Sequence, residues 1–237
     1  MKYRTLAQPG RPMRMVCSAL IGAGAMLAPL AGSMAPANAA TAAPPHCYGK
    51  VATIWGDGGA NSLRGTSGSD VIAGLGGNDR IAGNGGADII CGGEGNDTIR
   101  GGSGADLVAG NRGHDTINGD SGNDRLRGFG GNDRISGGAG GDVLHGGDSH
   151  DFGSGWGNDY LDGGTDRDVS YGTSGRDRLV VGRDGEFPDR MYGYNGDDYL
   201  DARDGKGNDL ANGGAGKDRC TGDDGDQFPG CEIKPAR

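Results

Sequence analysis

From Gly56 the chain repeats a nine-residue unit eleven times in register, reading roughly G-G-x-G-x-D-x-U-x, where U is a large aliphatic residue. A period this short and this regular makes every unit one turn-and-strand element, so the fold has to be built by stacking copies of it. Glycine opens each unit and returns at the fourth position in all but the last. The sixth position is Asn61 once, then Asp70, Asp79, Asp88, Asp97, Asp106, Asp115, Asp124, Asp133, Asp142 and Asp151. Two residues further on stand Leu63, Ile72, Ile81, Ile90, Ile99, Val108, Ile117, Leu126, Ile135 and Leu144, until Gly153 interrupts the series.

Glycine supplies 54 of 237 residues, which composition alone could assign to collagen, a flexible linker or a solenoid. Collagen needs glycine at every third residue with abundant proline, and a linker has no reason to hold aspartate and isoleucine at fixed phases. Glycine also interrupts every window long enough for an amphipathic helix, so the chain is expected to be all strand and turn.

The first 39 residues read as an export signal. Lys2, Arg4, Arg11 and Arg14 precede an apolar stretch from about Met15 to Leu30, and Ala37-Asn38-Ala39 offers a small-residue cleavage site. Release is expected to leave a secreted, extracellular chain with no membrane span. Removing residues 1–39 takes away four basic residues and no acid, so the formal charge moves from −9 to −13. That balance argues against nucleic acid as a partner. Cys17 departs with the signal, leaving four cysteines in an oxidising compartment. Three connectivities are possible; Cys47 with Cys91 and Cys220 with Cys231 is favoured because each pair brackets one end of the array.

Along the chain, 40–55 reads as linker and N-terminal cap, with Val51 to Trp55 able to act as a first strand. The regular array covers 56–153. An irregular continuation covers 154–221, where Asp159, Asp168, Asp177, Asp198, Asp209 and Asp218 keep the acid position. One residue is lost near Phe152 to Ser154, and 182–192 is an off-period insert. Residues 222–237 form a C-terminal cap in which Gln227 replaces the acid.

The glycines let a six-residue loop adopt φ > 0 and turn carbonyl oxygens inward, and the aspartate adds a formal charge. Carbonyl and carboxylate oxygens in a flexible loop suit Ca²⁺ before Mg²⁺, whereas zinc would want His or Cys. The sixteen in-phase aspartates, Asp70 to Asp151 in the regular block and Asp159 to Asp218 beyond it, are therefore the candidate metal ligands, for several ions. The x-U-x triplet forms a minimal strand with U inward and its neighbours outward, where Arg80, Arg100, Arg125, Arg127 and Arg134 fall. A core one side chain wide, flanked by uncompensated aspartates, is too thin to stand without cations, so binding and folding should be coupled.

The unit resembles the haemolysin-type (RTX) calcium-binding nonapeptide repeat, closely over Gly56 to Asp151 and more loosely to Thr221. The resemblance implies a right-handed parallel β-roll, a β-solenoid with disulfide-clamped ends, in which two units make one coil and ions lie between stacked loops. It pairs Asp79 with Asp97, Asp88 with Asp106, and Asp106 with Asp124. Asn61, Asp166 in place of the fourth glycine, Gln227 and the insert depart from the pattern. Relatives of this kind often carry a catalytic domain and leave by a C-terminal signal; neither is read in this chain.

Glycine-rich matches to G-x-G-x-x-G lack a strand-loop-helix context. His46, His114, His145 and His150 lack H-E-x-x-H spacing, and His114 and His150 occupy the variable fifth phase. No G-x-S-x-G elbow is present. The reading is a monomeric, non-catalytic calcium-binding protein, not an enzyme. Its alternative is a calcium-stabilised adhesion or surface-binding protein, with the protein or glycan partner unknown. Ice binding would favour regular outward threonine, and only Thr98 and Thr116 echo it. Trp156, Tyr160, Tyr171, Tyr192, Tyr194 and Tyr199 gather late in the chain, to pack irregular coils or to form a binding face.

Overall fold

The computed structural model describes residues 43–147, 157–182 and 187–232, all within a unit that begins at Ala43. The export signal at 1–39, Trp156 and Asp151 lie outside the described residues. Within them the chain is a parallel β-solenoid without helix. One sheet runs through nine strands from Ile54–Trp55 and Val71–Gly76 to Arg190–Asn195 and Leu210–Ala215. The second runs from Ser62–Arg64 and Arg80–Gly85 to Tyr199–Ala202 and Arg219–Gly222, also with nine strands. Successive strands alternate between the sheets, so two nine-residue units complete a coil.

Register follows the aliphatic series. Ile81, Ile99, Ile117 and Ile135 lie side by side in the second sheet. Ile72, Ile90, Val108, Leu126 and Leu144 do the same in the first. These residues are all buried and form one core cluster, because alternation along a strand turns every U side chain between the sheets. Further along, Leu161, Ser170, Leu179, Met191, Leu200, Ala211 and Cys220 take the same inward place and are buried.

The strands are longer than the x-U-x triplet. Arg80–Gly85 is typical, with six residues, and pairing resumes beyond the aliphatic triplet at Asn84↔Gly102 and Gly85↔Ser103. From the unit at Gly74 to that at Gly137, each unit bends at its second and fourth positions, as at Asn84 and Gly86, with φ of 76° and 95°. The first glycine of a unit has a different reason. A Cβ on Gly83 would collide with the Asp88 carboxylate and with the Gly101 carbonyl of the next coil, so close approach, not φ, requires glycine there.

Both expected disulfides are present, Cys47–Cys91 and Cys220–Cys231, with Cα separations of 5.7 and 5.9 Å. Near the first end, an antiparallel hairpin of His46–Cys47 and Lys50–Val51 packs on the strands Val71–Gly76 and Ile89–Glu94. It covers part of the first sheet's outer face. At the other end, Asp226 to Cys231 crosses the last coil, with Cys220 and Cys231 inside the core cluster and Phe228 packed against it. No helix among the described residues is long and apolar enough to cross a membrane.

Candidate metal centre

Each turn between the sheets ends on the acid position, and parallel stacking puts these acids into two columns, one along each edge. Along one edge the main-chain N–H of Asn61 donates to Oδ1 of Asp79 at 2.7 Å. The same bond links Asp79 to Asp97, Asp97 to Asp115, Asp115 to Asp133, Asp133 to Asp159, Asp159 to Asp177, Asp177 to Asp198 and Asp198 to Asp218. Along the other edge it links Asp70, Asp88, Asp106, Asp124, Asp142, Asp168, Asp189, Asp209 and Asp226 in turn. Each aspartate is also tied through its carbonyl, as in Asp97 O, which accepts from Thr116 N–H at 2.8 Å. One carboxylate oxygen per unit is thus fully used in holding the coils together.

At twelve of these aspartates the other oxygen is not. Oδ2 of Asp79, Asp88, Asp97, Asp106, Asp115, Asp124, Asp133, Asp142, Asp159, Asp177, Asp198 and Asp218 is buried with no hydrogen-bond partner among the described residues. A buried acceptor left unmatched is costly, and a charged one more so. It lies beside the first glycine of its own unit and close to the carbonyl oxygen of the first glycine one coil on, as Asp88, Gly83 and Gly101 illustrate. An alanine Cβ at Gly83 would fill this small oxygen-lined cradle.

The electrostatics register the same deficit. Burial, opposed by the hydrogen bond from the preceding N–H, raises the carboxyl pKa to about 6 at Asp97, Asp106, Asp124, Asp133 and Asp198. It reaches about 7 at Asp115, Asp142 and Asp177 and about 8 at Asp159. At Asp115 the like charges of Asp133 and Asp97 add to burial. A column of buried carboxylates without cations resists ionisation.

Of the sixteen aspartates singled out from the sequence, all but Asp151 are described, and all of these are buried members of the two columns. The three pairings implied by the resemblance are direct neighbours in them. One residue is lost from the period near 152–154: Asp133 is followed in its column by Asp159, 26 residues on, one short of three nine-residue units, where the regular block steps by 18. Two other expectations need correction.

The insert, in turn, is shorter than 182–192. Asp189 sits in the acid column, 3% exposed, and Arg190-Met191-Tyr192 forms the following x-U-x with Met191 buried. The missed signal was an acid two residues before a large apolar residue and four before Gly193. Nor does Gln227 replace an acid. Asp226 holds the position, accepting from Asp209 N–H at 3.0 Å, and Glu232 receives the N–H of Asp218.

The fifth position is also less variable than its residue types suggest. The Asn78 side-chain oxygen accepts from Asn96 N–H and that of Asn96 from His114 N–H, each at 2.8 Å. His114 Nδ1 accepts from Asn132 N–H, and the Asn132 oxygen from Asn158 N–H. Asn and His are interchangeable there because each offers an acceptor at the same reach.

No group of three or more His, Cys, Asp or Glu side chains converges among the described residues, so side chains alone do not make a metal cage. What the columns offer is a carboxylate oxygen without a hydrogen-bond partner at each of those twelve aspartates, beside main-chain carbonyls. All the donors are hard oxygens, which fits a calcium ion and not zinc. A bound Ca²⁺ would supply the positive charge that these oxygens lack.

A protein-family model described as the RTX calcium-binding nonapeptide repeat (4 copies) matches the chain over residues 55–90, 92–126, 127–156, 155–179, 171–205 and 202–226. No curated protein matches the chain.

Proposed function

The chain belongs to the RTX calcium-binding nonapeptide-repeat family, and from that premise we propose a secreted, non-catalytic protein whose two acid columns hold several Ca²⁺ ions and fold as they bind. The ligands in this reading are the Oδ2 atoms of Asp79 to Asp142 and their successors, with Asp70, Asp168, Asp189 and Asp209 in the same columns. The observation that carries it is the row of buried, unmatched Oδ2 atoms. A cation between adjacent loops removes both the unmatched acceptor and the repulsion along the column, so binding free energy becomes folding free energy.

Secretion is supported by two disulfides, which persist in oxidising compartments. Metal counting on the purified full chain tests the reading: several Ca²⁺ per chain should be retained, and Zn²⁺ should not displace them. Retention of no calcium would contradict it. The second reading, a calcium-stabilised scaffold that binds a surface, is favoured by outward rows of tyrosine. His145, Tyr171 and Tyr192 stack at 4.6 and 5.3 Å on the first sheet.

A further inference from the structure

On the outer face of the second sheet, parallel register sets Arg134 beside Tyr160, Tyr160 beside Arg178, Arg178 beside Tyr199, and Tyr199 beside Arg219. The result is one column of alternating guanidinium and phenol groups. Arg134 lies 4.4 Å from the centroid of Tyr160, and Arg178 lies 5.9 and 5.0 Å from Tyr160 and Tyr199. Arg219 closes the column 5.7 Å from Tyr199.

The arginines are exposed and the tyrosines half-buried. Among the described residues no carboxylate forms an ion pair with Arg134, Arg178 or Arg219. Arg80 and Arg100 extend the same face toward the N-terminal end. Two acids share this face: Asp201 is held by Arg203 at 2.6 and 2.7 Å, and Asp162 stands two residues beyond Tyr160 on the same strand. A chain of net charge −9 therefore presents a cationic strip on a face that the acid columns do not use.

We propose that this strip binds a linear acidic polysaccharide running along the solenoid axis. Three features select that ligand. The cations recur at every second strand, about 9.5 Å apart at ~4.8 Å per strand, so successive guanidiniums match carboxylates spaced along an extended sugar chain. A half-buried tyrosine stands between each pair with guanidiniums over its ring, leaving the ring edge to meet the C–H groups of a pyranose. Stacking also holds each guanidinium in a fixed plane for two-point contact with a carboxylate.

Beside the column, a shallow cleft lined by Tyr160, Asp162, Thr165, Arg178, Asp201 and Arg203 offers donors and acceptors for sugar hydroxyls. Nucleic acid fits less well. Its denser phosphate charge would meet the acidic edges on both sides of the strip.

The proposal rests on the surface-binding reading and gives it a ligand class. The test is titration of the calcium-loaded full chain with short oligogalacturonate, with a neutral oligosaccharide of equal length, oligothymidylate and anionic phospholipid vesicles as comparators. Oligogalacturonate should bind in preference to all three. The triple change Arg134→Gln, Arg178→Gln and Arg219→Gln should weaken binding about tenfold or more, while Arg80→Gln with Arg100→Gln weakens it less. Tyr160→Leu with Tyr199→Leu should weaken binding without changing its salt dependence.

If the triple variant fails to fold, protection in the unaltered chain decides: bound oligogalacturonate should shield Arg134, Arg178 and Arg219 from phenylglyoxal. No binding, no protection, or equal binding of any comparator overturns the proposal. Calcium counted on the same sample separates its failure from that of the calcium reading, and binding of a comparator alone leaves the surface-binding reading standing.

Discussion

Asp97 donates its main-chain N–H to Oδ1 of Asp115 at 2.8 Å, while Oδ2 of Asp115 is buried without a partner. The two oxygens of one carboxylate thus do separate work. One ties a coil to the coil before it, and the other is left buried, where a bound cation or, at low pH, a proton relieves its charge. The same division repeats along both edges, which is why one aspartate per nine residues serves as structural tie and candidate ligand together.

Replacing Asp115 by asparagine separates the two roles. The amide oxygen still accepts from Asp97 N–H, but the charge is gone. Asp115→Asn should bind less calcium per chain than the parent while keeping the tie to the preceding coil. Asp115→Ala, which also abandons the N–H, should lose about 1–3 kcal/mol relative to the asparagine variant in calcium. Calcium counting reads the first effect and urea unfolding in calcium the second.

Without calcium, acid should favour the fold. The column carboxyls of Asp97, Asp106, Asp115, Asp124, Asp133, Asp142, Asp159, Asp177 and Asp198 have folded pKa values of about 6 to 8, above the ordinary value of 3.8. Such groups stabilise the folded state fully below the unfolded value, and that contribution is lost as pH rises through 6 to 8. Far-ultraviolet circular dichroism of the chelated chain should therefore show more β structure at pH 5 than at pH 8. With calcium present the order should reverse, because protons compete for the same oxygens.

Two glycines three residues apart should fail for different reasons. Gly83→Ala places a methyl in the cradle against Asp88 and Gly101, so it should lower calcium affinity as well as stability. Gly86→Ala imposes an L side chain at φ 95° and against the backbone of the preceding coil. It should cost at least about 1 kcal/mol. Calcium titration calorimetry and thermal unfolding on both variants distinguish them.

The clamps should matter as well as the core. Removing Cys47–Cys91, which closes 44 residues, should cost about 2–5 kcal/mol. Ile117→Ala, at 1% exposure in mid-column, should cost a similar amount through the cavity it leaves. Chemical unfolding in calcium checks both.

Where the period is intact, the sequence carries nearly the whole structure. Ile81, Ile99 and Ile117 recur at 18 residues, and that interval is one coil. The acid columns and the inward and outward phases follow from it, and both disulfides from the places of their cysteines at the two ends of the array. Where the step between stacked acids departs from 18, counting by nines misleads, because a solenoid conserves stacking and not spacing. Asp159 joins Asp133 across 26 residues and Asp189 joins Asp168 across 21. Local pattern located Asp159 but not Asp189, since Phe187 and Pro188 obscure the glycine that normally precedes the acid.

The Arg and Tyr column was beyond reach for a related reason. Arg134 and Tyr160 become neighbours only through that longer step.

The central claim is that calcium folds the chain. Circular dichroism on the full chain, disulfides intact, during calcium titration and subsequent chelation tests it directly. The β signal should rise as several ions bind and vanish when the last is removed at neutral pH. A full β signal persisting after complete chelation would contradict the coupling of site and fold.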